Sequence, residues 1–347
     1  MVELDVAIVG AGVAGAASSW ALATAGRSMV AFEQFEVGHI RGSSHGTSRI
    51  FRFSYDDPKF VAMAMEALPL WREIEMQTGT TLVTIGGGLD SGPRVEDNAR
   101  ALEECGAPHE LMSGADASKR WPQVRLPADR PALWHPDAGI VHADLALRTL
   151  LQLAAGAGAE CRTGERVTHL DLSGDGATLT TTRGEYRAAI VVVTAGAWAK
   201  SLLAQIDIDL PVTPTRESVS YFSIEDGEDL PTLVDWEDPA FYALPAPGAG
   251  LKAGMHHAGP VTDPDQEGEV DEATVSRLAE WVAERWPRAN PAPLSAETCI
   301  YTNTSDERFI FERHGPVVVG SACSGHGFKF GPVHGRRITE LVVKDEA

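Results

Sequence analysis

The sequence predicts an α/β protein whose parallel sheet is assembled from separated parts of the chain. Three observations predict it. Val6-Ala7-Ile8-Val9 runs directly into Gly10-Ala11-Gly12-Val13-Ala14-Gly15, Ala189–Thr194 runs into the glycine turn Ala195-Gly196-Ala197-Trp198, and Val317-Val318-Val319-Gly320 lies near the other end of the chain. All three are apolar without alternation, as strands covered on both faces are. A sheet drawn from the first, middle and last parts of the chain is discontinuous, and the stretches between them form a second domain.

Each element follows from local chemistry. In the first turn Gly10 permits the sharp bend, Gly12 lets a pyrophosphate approach the backbone, and Gly15 lets the next helix lie close to the strand. That helix is rich in Ala and stops at Gly26, and its N-terminus offers free N–H groups to phosphate. A second strand, Met29–Phe32, ends at Glu33, about 20 residues past the glycines, where an acid is placed to bind ribose hydroxyls. Strand, glycines, helix, strand and acid in this order predict a Rossmann-like dinucleotide-binding unit. The stretch 38–52 mixes small residues with His45, Arg49 and Arg52 and holds no acid, so it reads as an anion- or cofactor-facing segment.

Asp57-Pro58 reads as an N-cap and first helical residue. Phe60, Ala64, Leu68, Trp71 and Ile74 keep helical spacing up to Gly79, with a kink expected at Pro69. Gly86-Gly87-Gly88 punctuates a strand, Val95–Cys105 is a short helix, and 121–136 reads as irregular connection. A helix through Leu145, Leu150 and Leu153 ends near Gly156. Val167–Leu172, Ala177–Thr182 and Tyr186 form short strands of a meander before the return strand. Ser218–Ile224, Ala240–Leu244 and 251–257 are strands, Asp271–Trp286 is a helix, and Cys299–Thr302 enters a last segment that closes in a terminal helix.

At 347 residues the chain has room for two cores. A net charge of −20 opposes binding to nucleic acid or to anionic membranes. No apolar run reaches the roughly 18 residues of a membrane span, and the N-terminus enters the first strand directly, so no secretory signal is expected. Cys105, Cys161, Cys299 and Cys323 have neither metal-ligand spacing nor a disulfide framework, which suits the cytoplasm. No metal site is expected.

Five stretches carry a resemblance: Gly10-Ala11-Gly12 with Glu33, Ser43–Ile50, Gly250-Leu251-Lys252, Cys299-Ile300-Tyr301-Thr302, and Ser324-Gly325-His326-Gly327-Phe328-Lys329-Phe330. With these, the chain resembles the monomeric sarcosine oxidase and N-methyltryptophan oxidase family of flavin amine oxidases. The last two stretches are the specific ones. The resemblance implies an FAD-binding domain of residues 1–80, 139–211 and 300–347. It also implies a substrate domain of residues 81–138 and 212–299 with a mixed, largely antiparallel sheet. The chain is shorter than familiar members, with trimmed substrate-domain loops, including the segment between Tyr242 and Lys252.

The resemblance also implies roles. Cys299 matches the cysteine that joins the flavin 8α-methyl group through a thioether, with Cys323 the second candidate. Lys252 matches the lysine near flavin N5 that activates oxygen, where a fixed ammonium stabilises the charge of superoxide. Arg52 and Lys329 match the pair that grips the substrate carboxylate. His45 and Arg49 match residues that support the anionic reduced flavin, and Tyr242 and His256 (or the adjacent His257) match residues that position the amine. Gly10, Gly12, Gly15, Glu33, Ser43, Ser44, Val167, Gly196, Gly325, Gly327, Phe328 and Lys329 match the non-covalent cofactor set.

The implied reaction is oxidation of a secondary or N-methyl amino acid by hydride transfer to flavin N5. O₂ then becomes hydrogen peroxide, and the imine is hydrolysed. A monomer acting on a small molecule is expected. The rival expectations are a cyclic imino acid or other amine oxidase, a dehydrogenase passing electrons to a carrier protein, and a non-enzymatic FAD sensor. An NAD-dependent dehydrogenase would satisfy the glycines alone, but it leaves the stretches around His45–Arg52 and Ser324–Phe330 unexplained.

Overall fold

A computed structural model describes residues 2–225, 230–321 and 323–344. Among them, five strands run parallel in one sheet, in the spatial order Glu160–Arg162, Met29–Phe32, Val2–Val9, Glu185–Val193 and Val317–Ser321. In chain order this is 3-2-1-4-5, the doubly wound arrangement, whose ligand crevice lies where the order reverses. The apolar runs are buried on both faces, as their lack of alternation requires. Ala7 and Val9 join one core with Leu170, Leu179 and Leu202, while Val6 and Ile8 join another with Leu22, Ile338 and Val342.

The return strand is longer than expected. Tyr186 belongs to the same strand as Ala189–Val193, not to a separate element. Its first half pairs antiparallel with Gly176–Thr181, and its second half lies parallel to Val317–Ser321. The change of partner along one strand explains why its residues read as two.

A second sheet runs in the order Ala289–Asn303, Thr213–Ile224, Gly250–Met255, Phe241–Ala246, Thr232–Asp235, Gly88–Ser91, Pro131–His135 and Glu110–Ser113. Its neighbours are antiparallel except for Thr232–Asp235 beside Gly88–Ser91. The fold is therefore α/β with one parallel-centred and one mixed, largely antiparallel sheet. A small third sheet joins Arg49–Phe51, Gly139–Val141 and Val83–Ile85.

Two strands of the second sheet depart from expectation. Pro131–His135 is a strand inside the stretch that read as irregular, buried against Glu110–Ser113 and Gly88–Ser91. Cys299–Thr302 lies within the fifteen-residue strand Ala289–Asn303. Pro291 and Pro293 hid its first half. Proline removes a ladder donor and is tolerated at sheet edges and bulges; this strand is at the sheet edge, and its ladder shifts register beside Pro293.

The helices follow their caps. Pro58–Thr78 starts at Asp57, whose carboxylate accepts from Lys59 N, runs on through Pro69, and ends at Gly79 in the left-handed conformation (φ 66°). Its stripe buries Val61, Ala64, Ala67, Trp71 and Ile74. Glu272–Arg285 is capped by Asp271 and lies on the second sheet, where Trp281 and Arg285 both donate to Asp235. Ala143–Gly156 and the terminal helix Gly331–Val343 lie where the sequence put them.

Candidate active site

One cavity of about 430 Å³ is lined from both sheets. Its first wall is the crevice at the order reversal. Gly10 (φ 93°) sits so close to the end of the return strand that a Cβ there would lie 2.7 Å from the Thr194 carbonyl oxygen. A Cβ on Gly15 would meet the Gly10 carbonyl oxygen at 1.9 Å, so Gly15 sets the helix against the strand and does not line the cavity. Thr194 Oγ1 clamps the turn by donating to Gly10 O. Glu33 Oε2 accepts from Ala11 N at 2.9 Å and Oε1 from Phe35 N at 3.0 Å. This buried carboxylate thus braces the glycine turn besides facing the cavity. Ser44 Oγ accepts from Val13 N at 3.0 Å, at the mouth of the first helix. Val167 and Gly196 complete this wall. Glycine turn, helix N-terminus and acid together fit a dinucleotide.

The opposite wall is one face of the second sheet. Side chains alternate along a strand, and residues in register share a face. Cys299 is opposite Glu217, Lys252 opposite Tyr221, and Tyr242 opposite Gly254. Glu297, Cys299 and Tyr301 follow one another at period two. Neighbouring strands thus turn this whole set the same way. Gly254 leaves the space that Tyr242 fills, because a Cβ there would lie 2.4 Å from its hydroxyl oxygen.

Lys252 is buried, 3 % exposed, with Nζ 3.0 Å from Glu297 Oε1. The same oxygen accepts from the Tyr221 hydroxyl at 2.6 Å. Burial and the Arg49 charge lower the Lys252 pKa to about 8, against the raising effect of Glu297. Burial alone would raise the Glu297 carboxyl, but Lys252 and Tyr221 hold it below its ordinary value. Arg49 Nη2 donates to Ser43 O at 3.1 Å and lies 3.9 Å from Cys299 Sγ. Burial pushes the Cys299 thiol up, while Arg49 and Lys252 pull it down. Cys323 lines the same cavity, with Sγ 3.8 Å from Ser43 Oγ. Ser43 Oγ in turn donates to the Ile300 carbonyl. Burial pushes the Tyr242 hydroxyl up to about 12, so it stays protonated.

At one end of the cavity stand two cations of another kind. Arg52 follows the strand Arg49–Phe51. Its guanidinium lies 4.0 Å from the Tyr55 ring centre and 5.2 Å from that of Trp236. Lys329 is 3 % exposed and donates to Tyr55 Oη at 2.8 Å and to His326 O at 2.7 Å. Trp71, fully buried in the long helix, donates to the Lys329 carbonyl at 2.7 Å and fixes that turn. Burial and Arg52 push the Lys329 pKa well below its ordinary value. Among the described residues, no carboxylate pairs with Arg52 or Lys329.

Of the remaining predicted residues, Gly12, Gly325, Gly327, Phe328 and His256 line the cavity. His45 is buried behind the lining. Burial and Arg49 hold it near a pKa of about 4, hence neutral, and neither ring nitrogen has a partner among the described residues. His257 is off the lining too, so of the two adjacent histidines it is His256 that faces the cavity.

Sequence reasoning missed Glu297, Tyr221 and Tyr55. Glu297 carried a readable signal, being two residues before Cys299 on what is a strand. Tyr55, three residues past Arg52, carried none.

Comparison with known proteins agrees with this geometry. Residues 5–341 match the family model described as FAD dependent oxidoreductase. The chain is 32 % identical to a monomeric sarcosine oxidase from Bacillus sp. strain B-0618, over 98 % of this chain and 92 % of that protein. It is 28 % identical to N-methyl-L-tryptophan oxidase of Salmonella dublin, over 96 % and 93 %. Its fold superposes on NikD, described as an unusual amino acid oxidase essential for nikkomycin biosynthesis, with a TM-score of 0.91 and 27 % identity, covering 100 % of this chain and 95 % of that one.

Proposed function

The chain belongs to the FAD dependent oxidoreductase family and is of the sarcosine oxidase type, and from that premise we propose that it oxidises a secondary or N-methyl amino acid. The observation that carries the proposal is the pair Arg52 and Lys329, buried at the cavity without a carboxylate of their own. A buried charge lacking a partner is costly, and a substrate carboxylate supplies that partner.

FAD, when bound, would supply the electron acceptor for a hydride equivalent from the substrate, with O₂ as the final acceptor and hydrogen peroxide the product. The crevice fits it: Gly10, Gly12 and the first helix would hold the pyrophosphate, Glu33 the ribose, and Ser43, Ser44, Val167, Gly196, Gly325, Gly327 and Phe328, which also line the cavity, the rest of the molecule. Cys299, whose thiol lines the cavity, is the proposed point of thioether attachment. Arg49 holds a positive charge beside the thiol, and the neutral His45 backs it.

Arg52 and Lys329 grip the carboxylate by charge-assisted hydrogen bonds, which fixes the reacting carbon in place and removes much of the entropic barrier. The same two charges lower the pKa of the substrate amine, favouring the neutral form that releases electrons. Tyr242 and His256 orient that amine, and water hydrolyses the imine product. Lys252 is the proposed oxygen-activating group, since a buried, fixed ammonium is suited to stabilising the negative charge that develops on O₂. The separate sheets support the proposed division into an FAD domain (1–80, 139–211, 300–347) and a substrate domain (81–138, 212–299), although the strand Ala289–Asn303 crosses that boundary and Val83–Ile85 pairs across it with Gly139–Val141. Four free thiols support a cytoplasmic setting, and the name of the Bacillus relative supports a monomer.

The test is an anaerobic titration of the purified yellow protein with sarcosine, N-methyltryptophan and pipecolate, beside an acid-precipitated sample. Bleaching by one of these amines is expected. Admission of air should then restore the colour with peroxide, and the precipitate should stay yellow. No bleaching by any of the three overturns the substrate class. Bleaching that only a carrier acceptor reverses replaces the oxidase by a dehydrogenase.

A further inference from the structure

We infer that His256, His257 and Glu307 form a site for a divalent transition-metal ion at the edge of the cavity, and that filling it stops turnover. His256 and His257 follow the strand Gly250–Met255 directly. In an extended chain two consecutive side chains point to opposite faces. Here they do not, because His257 adopts the left-handed conformation (φ 56°) and the ring centres lie 4.0 Å apart. Glu307 comes from a different part of the chain and is also left-handed (φ 59°). Few non-glycine residues take this conformation, and held in place by their surroundings they cluster at functional sites.

The distances favour an ion over hydrogen bonds. Glu307 Oε2 lies 3.6 Å from His256 Nε2, and Oε1 lies 3.6 Å from His257 Nε2. Both are longer than the roughly 2.7–3.2 Å of a hydrogen bond. Two ligand atoms each about 2.1 Å from a tetrahedral ion stand about 3.4 Å apart, near the 3.6 Å between each imidazole nitrogen and its own oxygen of the Glu307 carboxylate. The three ligand atoms all fall within 4.8 Å of one another, so a small rotation of the imidazoles closes the set. Two imidazoles and a carboxylate select zinc, cobalt, nickel or copper over magnesium or calcium. The side chains are 22 %, 30 % and 42 % exposed, open enough for an ion to enter.

The coupling to turnover runs through His256, which lines the cavity. A metal takes the Nε2 lone pair and turns the ring toward Glu307. Glu307 also accepts from His326 Nε2 through its carbonyl at 3.0 Å, and His326 Nδ1 accepts from Tyr55, the partner of Lys329. An ion held by Glu307 is thus anchored to the support of the carboxylate grip. The inhibitory part rests on the proposed role of His256, whereas the binding part does not.

The test is calorimetric titration of the flavin-loaded protein with zinc chloride in a non-chelating buffer, beside turnover of the amine that bleaches it. The expected result is one ion per chain, no heat from magnesium, and loss of turnover with the same midpoint. His257→Ala and Glu307→Gln should each bind zinc roughly 100-fold more weakly, the upper end of what even outer partners of a metal site contribute. His257→Ala should remain active and resist zinc. Unchanged flavin absorbance and melting temperature show that both variants are folded. No saturable binding, or an affinity in both variants unchanged from the parent protein, overturns the site. Binding without loss of turnover overturns the inhibition and leaves the site. If no amine is turned over, the proposed function fails while the calorimetry still decides the site.

Discussion

Lys252 and Lys329 are both lysines buried to 3 % exposure on the wall of one cavity, yet Lys252 has an acid beside it and Lys329 has none among the described residues. Lys252 is held by Glu297, and Glu297 by Tyr221. Lys329 is held by a hydroxyl and a carbonyl, with Arg52 as a second, like charge nearby. The balanced lysine keeps its place and charge in the free protein, as its proposed role toward the neutral, diffusing O₂ requires. The unbalanced pair has an open electrostatic valence that only an anionic ligand fills. The same side chain thus stands in two states of readiness, and the difference lies in one neighbouring carboxylate.

Lys252→Met gives the largest expected effect. Removing a fixed charge at a site of developing negative charge slows reaction by roughly 100- to 1,000-fold. Stopped-flow reoxidation by O₂ should fall by that factor, while anaerobic reduction by substrate changes only a few-fold. Equal loss in both half-reactions would break the contrast between the two lysines.

Arg52→Met should act in the opposite compartment of the kinetics. Truncating one partner of a desolvated charge pair costs about 3 kcal/mol, or roughly 100-fold in substrate affinity. The O₂ step should keep its rate. Replacing the substrate carboxylate by an amide should weaken binding in the parent protein and add little in Arg52→Met, as a double-mutant cycle requires of direct partners. Additive losses would show that Arg52 does not contact the carboxylate.

The glycine turn, its helix and Glu33 were legible because their chemistry is local: a few adjacent residues fix the turn and its ligand. The stretch around Arg52 read as anion-facing from its own residues, whereas the matching of Cys299, Lys252 and Lys329 was legible only through resemblance to a family, since nothing around an isolated lysine distinguishes a cavity wall from a surface. Glu297 shares the period-two spacing of Cys299, but its role was not legible. Its partners Lys252 and Tyr221 are 45 and 76 residues away, and the register of three strands brings them together. Pro291 and Pro293 further concealed the strand that carries it. The pairing of His256 and His257 on one side was hidden for a related reason, because it depends on a backbone angle that no neighbouring glycine announces.

Stability offers a finer test of the same contrast. Lys329→Met removes a buried charge without a counter-ion, so the ligand-free melting temperature should hold or rise. Lys252→Met strands Glu297. Because that carboxylate is more than a quarter exposed and keeps Tyr221, the loss is about 1–2 kcal/mol rather than the larger figure for a fully buried pair. Calorimetry should show a fall of a few degrees for Lys252→Met alone. Equal falls would mean that Lys329 has found a partner of its own.

The smallest effect is a displacement of pH dependence. Lys252 has a pKa of about 8, lowered from 10.5 chiefly by burial. Below about pH 8 it carries its charge, so reoxidation by O₂ should decline as pH rises through that value. Glu297 raises this pKa, so Glu297→Gln should move the decline to lower pH, with Lys252→Met showing no such limb. Stability runs the other way. Between about 8 and 10.5 the unfolded chain binds more protons at this lysine than the folded one, and its contribution to stability rises with pH across that window. In Glu297→Gln the window opens at lower pH. A purely structural Glu297 would lower the melting temperature and leave the kinetic limb where it was. A limb that moves down while substrate reduction keeps its own profile identifies the carboxylate as the group that keeps Lys252 charged.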